Sequence, residues 1–140
     1  MMQPLLFVLF LAAFVPVLKA ESFLDEAQAE RNPGKRSEIA LELAGKSLDQ
    51  ARDYYVSGNR LKGDSELDMI DSLAAECLTS VEEARKSKYW KKAELKIAAL
   101  MRRVNSLIGD LSYDQRGKAQ ELETHLNQVH DRLLAGVMAK

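Results

Sequence analysis

The chain is poor in cysteine and proline and carries almost no net charge. Its 140 residues include one Cys and three Pro, and 20 Lys and Arg stand against 21 Asp and Glu. A single cysteine excludes an intramolecular disulfide framework, and the balanced charge gives no electrostatic reason to expect a nucleic acid partner. The length allows one modest domain and leaves no room for separate cofactor and substrate domains.

The longest apolar run lies near the N-terminus, where residues 5–18 read LLFVLFLAAFVPVL and carry no charge. This run is shorter than the roughly 20 residues of a membrane-spanning helix and fits the apolar region of a secretory signal. Pro16 breaks the helix, and Ala20 supplies the small residue before a cleavage site. The sequence therefore predicts a signal peptide over 1–20 and export to the periplasm or the extracellular space. The alternative is an uncleaved N-terminal helix that anchors the chain to the membrane.

The remainder of the chain is predicted to form a leader and one helical domain. Residues 21–36 are polar and end in Pro33-Gly34, which predicts a flexible leader with one helical turn at 22–30. Beyond Gly34 there is no further proline, and apolar residues recur at steps of three and four. Because that period places them on one side of an α-helix, residues 37–140 are predicted to be a helical domain.

Four segments, each about 22 to 26 residues long, show this period. The first begins at Ser37 and ends at Gly58-Asn59, the second follows residues 63–65, the third contains Trp90, and the fourth opens with a capping box, Ser112-x-x-Gln115. Similar lengths and short links predict an all-α, antiparallel up-down-up-down four-helix bundle. The alternating steps average 3.5 residues, which is typical of coiled-coil-like shallow crossings.

A second architecture is possible for the same segments. Residues 51–59 resemble the end of the first helix in a tetratricopeptide-type hairpin, so TPR-like helical hairpins are the alternative. Helices in such repeats have about 14 residues within a unit of 34. Because the segments here are longer, the four-helix bundle is favoured.

Reactive side chains are few. A carboxylate-bridged di-metal bundle needs a His three residues after a Glu on two helices, and neither His125 nor His130 has that spacing. Glu121 and His125 lie one turn apart and offer only two ligands, and H-E-x-x-H and C-x-x-C-H are absent. Cys77 falls on the apolar stripe of the second segment, which predicts a buried thiol, with a disulfide between chains as the alternative. The sequence predicts a non-enzymatic protein with no catalytic, cofactor-binding or metal-binding residue; a haem- or metal-carrying bundle around His125 or His130 is the remaining alternative.

The charge is unevenly distributed. Residues 85–103 contain eight Lys or Arg and one acid, Glu94. One interpretation is internal pairing, with Arg102 and Arg103 beside the acidic start of the second helix at 64–71. The other is a patch that binds an anion or a partner, in which aromatic rings sit at a membrane interface or stack on a ligand. The candidate patch consists of Arg85, Lys86, Lys88, Tyr89, Lys91 and Lys92.

Three stretches carry a resemblance to a known family. Residues 89–95 (YWKKAEL), Arg102-Arg103 and residues 129–136 (VHDRLLAG) resemble a functionally uncharacterised family of short, signal-peptide-bearing bacterial helical proteins. The resemblance covers about residues 37–138. It implies an exported bacterial helical protein and carries over no catalytic residue.

These observations predict an exported helical interaction or scaffold protein without enzymatic activity. Its expected partner is another protein or a second copy of the chain. The alternative is a binder of anionic envelope surfaces through residues 85–92.

Overall fold

A computed structural model describes residues 22–139. The predicted signal peptide and its anchor alternative lie outside this range. All regular structure within it is helical: a short helix α1 (Phe23–Gln28) and four long helices, α2 (Pro33–Val56), α3 (Arg60–Ala84), α4 (Ser87–Asp110) and α5 (Gly117–Met138). A 3₁₀ turn, Tyr113–Gln115, precedes α5. The all-α prediction is confirmed, and the four long helices pack against one another.

The polar segment that precedes Ser37 is part of the packed domain. The hydroxyl of Ser22 and the carboxylate of Asp25 form a capping box at the start of α1, and Ala27 is fully buried. Helix α2 begins at Pro33 because proline needs no N–H in the first turn and Asn32 accepts a hydrogen bond from the Lys35 backbone N–H. The helical turn predicted at 22–30 is confirmed by α1, whereas the flexible leader predicted for 21–36 is corrected, because residues 22–36 contain α1 and the first turn of α2.

Two other helix boundaries differ from the prediction. The stop at Gly58 is confirmed, since Gly58 has φ +84°. Helix α3 begins at Arg60, before the predicted residues 63–65, because the Asn59 side chain accepts from the Lys62 backbone N–H. The capping box predicted at Ser112 is wrong: its side chain makes no capping hydrogen bond, and α5 begins after the 3₁₀ turn.

Contacts between side chains fix the directions of neighbouring helices. Arg36 pairs with Glu83, and Ser47 donates to Glu66, so α2 and α3 run antiparallel. Helices α4 and α5 also run antiparallel, since residue 94 contacts residue 130 while residue 90 packs against residue 136. The described chain thus contains two antiparallel hairpins.

The two hairpins lie side by side, with equivalent helices parallel. Glu38 pairs with Lys92 and Asp49 with Arg103, which aligns α2 with α4. In the same way α3 is aligned with α5, through the contacts of residue 71 with residue 125 and of residue 82 with residue 132. One continuous core is formed, with Leu67, Ile70, Leu73, Ile97, Leu126 and Leu133 among its fully buried side chains. None of the helices in the described range combines the length and apolarity needed to cross a bilayer.

Candidate functional site

The six residues of the predicted patch lie together at one end of the domain. They occupy the α3–α4 connection and the first two turns of α4. Arg85 ends α3 in the left-handed conformation, with φ 58° and ψ 27°, and Lys86 precedes α4 in an extended conformation without a side-chain cap. The first turn of α4 contains no acidic residue. The positive end of the α4 helix dipole therefore coincides with a group of cations.

Four of the six residues form what we call the basic end: Arg85, Lys86, Lys88 and Lys91. All four side chains are exposed, and none is in an ion pair within residues 22–139. Elsewhere in the domain several Arg side chains bind acids on neighbouring helices, as Arg36, Arg103 and Arg132 do. The basic end therefore holds cations that form no ion pair within the described part of the chain.

Lys92 does not belong to this group, which corrects its place in the predicted patch. Its Nζ donates to Glu38 on α2 over 2.9 Å. The hydrogen bond with Lys92 holds the pKa of Glu38 below its usual range, and the same bond raises the pKa of Lys92. Lys92 therefore joins α2 to α4.

Tyr89 is a packing residue, and a ligand-stacking role is not supported by its position. Its ring lies against Gly34, so close that a β-carbon there would be 2.2 Å from the ring. Lys88 Nζ lies 5.1 Å from the centre of the same ring. Trp90 packs against Gly136 on α5 in the same way. The two rings close this end of the domain.

Two further cations, which the sequence analysis did not identify, lie at this end of the domain. The contact between Tyr89 and Gly34 places the first turn of α2 beside the first turn of α4. The exposed side chains of Arg31 and Lys35 therefore lie near the basic end. The only sequence signal for this contact is Gly34, whose place after Pro33 instead indicates a helix break.

Arg103 pairs with a different helix from the one predicted. Its guanidinium donates to Asp49 over 2.6 Å, because α4 lies alongside α2 in parallel. The acids at the start of α3 bind other groups: Asp68 pairs with Lys118, and Asp71 contacts His125. The predicted pairing of Arg102 and Arg103 with residues 64–71 is wrong: Arg103 pairs with Asp49 on α2, and Arg102 forms no ion pair within the described residues.

A groove of about 730 Å³ lies on the α2 and α4 surface. Glu38 and Glu42 line it from α2, and Lys96 and Arg103 line it from α4, above an apolar floor that includes Leu100. The sequence did not reveal this groove, because periodicity does not show that α2 and α4 are neighbours. The α4 side of the groove is basic, and the α2 side carries Glu38 and Glu42 together with Lys35.

The two histidines lie on different sides of α5. His125 Nδ1 is 2.7 Å from Asp71 on α3, and His130 Nε2 is 2.7 Å from Glu94 on α4. The hydrogen bond with Asp71 raises the pKa of His125. Glu121, the second ligand considered for His125, pairs with Lys118. Within the described residues no three His, Cys, Asp or Glu side chains are grouped to hold a metal ion.

Cys77 lies in the core, as its position on the apolar stripe predicts. It is fully buried and unpaired within the described residues. Burial raises the pKa of the thiol to about 12. The sulfur is thus protonated at neutral pH and packs as a small apolar group.

Comparison with known proteins adds no homologue to these observations: no protein-family model, curated protein sequence or solved structure matches this chain significantly.

Proposed function

We propose that this chain is an exported, non-enzymatic helical interaction protein and that its basic end binds an anionic membrane surface. The observation that carries the proposal is the set of four exposed cations, Arg85, Lys86, Lys88 and Lys91, outside any ion pair of the described residues. Clustered Lys and Arg residues near an anionic lipid surface each contribute about 1 kcal/mol to binding.

The position of these cations supports contact with an extended surface. They project from a helix connection and the adjoining turns, at one end of a domain whose four long helices have 22 to 25 residues. The α4 N-terminus adds its partial positive charge, and Met138, which is 76% exposed, lies at the same end of the domain. A flat anionic surface can contact all of these groups together, whereas a small anion would contact one or two.

Our proposal includes the arrangement of the four long helices. We infer an up-down-up-down four-helix bundle in which two hairpins lie side by side. The alternating helix directions and the single core support the bundle. The parallel packing of α2 on α4 and of α3 on α5 is also a feature of stacked helical hairpins, the alternative named above.

Export rests on the N-terminal sequence and on the family resemblance. We propose that residues 1–20 are a signal peptide and that the mature chain begins at Glu21. Mass spectrometry of the protein recovered from cells tests this. A mature N-terminus at Glu21 supports export with cleavage, and an intact Met1 contradicts it.

Membrane binding is tested by co-sedimentation with vesicles of phosphatidylcholine, with and without phosphatidylglycerol. We expect binding only to the anionic vesicles. We also expect it to weaken as salt is raised from about 0.01 M, where the Debye length is about 30 Å, to about 1 M, where it is about 3 Å. Equal binding to neutral vesicles, or no binding to anionic vesicles at low salt, contradicts the proposal. Binding to a soluble polyanion such as heparin without binding to vesicles also contradicts it.

A further inference from the structure

The α2–α4 face carries a regular arrangement of opposite charges. Glu38 pairs with Lys92 over 2.9 Å and Asp49 pairs with Arg103 over 2.6 Å. Both pairs join a residue of α2 to the residue 54 positions later on α4. The two helices are thus in register over this whole interval, and their acids and bases stand at matching heights.

A third pair of charges occurs at the same offset but is not joined. Glu42 stands opposite Lys96 between the two ion pairs, and both line the groove with exposed side chains. Within the described residues neither takes part in an ion pair. The middle of the face therefore offers one carboxylate on α2 and one ammonium on α4 that are not joined to a partner.

We propose that this face binds a second copy of the chain, in a two-fold dimer whose axis runs parallel to α2 and α4. Such an axis places the α2 of each copy opposite the α4 of the other, so that Glu42 of one copy faces Lys96 of the partner copy. The contact occurs twice by symmetry. Charge complementarity selects this arrangement, because a two-fold axis across the helices would place acid on acid and base on base.

The surface between the charges is partly apolar. Ala99 is small and half-buried, and Ile39 contributes an apolar side chain to the groove. Arg103 covers Gly45, since its Nη1 lies 3.2 Å from the position of a β-carbon there. The two outer ion pairs already hold α2 against α4, so the face does not have to form when the copies meet.

The dimer also has a consequence for the proposed membrane contact. An axis parallel to the helices leaves both basic ends pointing in one direction. Two sets of free cations would then meet one surface, which raises the apparent affinity without any new contact. The dimer proposal does not depend on membrane binding, because it is argued from residues of α2 and α4 alone.

Sedimentation velocity on the protein as cells produce it tests the dimer. We expect the wild-type chain to dimerise in the micromolar range at low salt and to dissociate as salt is raised. Glu42→Lys and Lys96→Glu are each expected to raise the dimer Kd at least about tenfold, because each places like charges at both symmetric contacts. The mixture of the two variants is expected to form a heterodimer, in which every contact again joins opposite charges.

The mixture identifies the contact as one between chains. Within each variant, residues 42 and 96 of the same chain still carry like charges, so recovery on mixing cannot come from an intramolecular pair. Asp131→Lys and Lys62→Glu are the matched controls, since both residues are exposed and lie on other helices, and they should leave the Kd unchanged. Circular dichroism checks that each variant is folded. A wild-type monomer at all concentrations, or a dimer whose variants fail to associate on mixing, would overturn the proposal.

Discussion

The ring of Trp90 on α4 occupies the space beside Gly136 on α5 in which any larger residue would place its β-carbon. A β-carbon at Gly136 would lie 2.1 Å from the ring. The absence of a side chain at one position thus allows the largest side chain of the domain to pack at the other. Gly34 and Tyr89 repeat this relationship on the neighbouring helix pair.

This contact predicts that Gly136→Ala destabilises the protein by about 1–3 kcal/mol, the usual cost of overpacking. The loss should occur although alanine favours a helix over glycine by up to about 1 kcal/mol. Gly109 is the matched control, because it also lies in a helix and a β-carbon there meets nothing within 4 Å. Urea unfolding measures both variants, and Gly109→Ala should be neutral or stabilising. Equal stability gains in the two variants would show that the Trp90 contact does not constrain Gly136.

The left-handed backbone conformation of Arg85 predicts that a glycine at this position stabilises the protein. It is the only residue other than glycine with positive φ in the described range, and that conformation costs an L-residue about 1 kcal/mol or more. Arg85→Gly should therefore raise the free energy of unfolding by about 1 kcal/mol. Lys86→Gly, at an extended position next in sequence, should give no such gain. Thermal unfolding of the two variants makes the comparison, and a destabilised Arg85→Gly would contradict it.

The contact between His125 and Asp71 predicts a dependence of stability on pH. The hydrogen bond raises the pKa of His125 above that of the unfolded chain, which is near 6.5. Its stabilising contribution is complete below the unfolded pKa and is lost as pH rises through the folded one. NMR titration of the imidazole should give a raised pKa in the wild type and a value nearer 6.5 in Asp71→Asn. A wild-type pKa at or below 6.5 would contradict this pairing.

Burial of Cys77 predicts a thiol that does not react in the folded protein. Its pKa of about 12 leaves little thiolate at pH 8, and the buried sulfur has no access to solvent. Labelling with a disulfide reagent should be slow in native buffer and should reach one thiol per chain in denaturant. Fast native labelling, or a covalent dimer that a reductant separates, would show that the thiol is accessible.

The sequence predicted the all-α class and most of the core because apolar residues recur at the helical period. Leu67, Ile70, Ile97 and Leu126 lie on the predicted stripes and are fully buried. The sequence did not predict where the helices begin, because the capping groups Asn32 and Asn59 act over three residues and are weak signals in a polar segment.

The sequence also could not reveal which helices are neighbours. Periodicity identifies the buried face of each helix but does not specify the helix against which that face packs. The arginine predicted to meet the start of α3 therefore meets Asp49 on α2 instead. The six residues of the candidate patch are close in sequence and lie at one end of the domain, but the ion pair of Lys92 with α2 and the approach of Arg31 depend on the parallel packing of α2 and α4.

The role of the basic end is tested most directly by two variants with the same net charge. The first variant replaces Lys86, Lys88 and Lys91 by Gln. The second variant replaces Lys46, Lys62 and Arg102, which are also exposed, by Gln. We measure the partition of each between buffer and anionic vesicles at low salt. At about 1 kcal/mol per cation, the first variant should bind more weakly on the order of a hundredfold, while the second should lose only a few-fold. Equal losses in the two variants would mean that net charge, and not the basic end, directs the protein to the membrane.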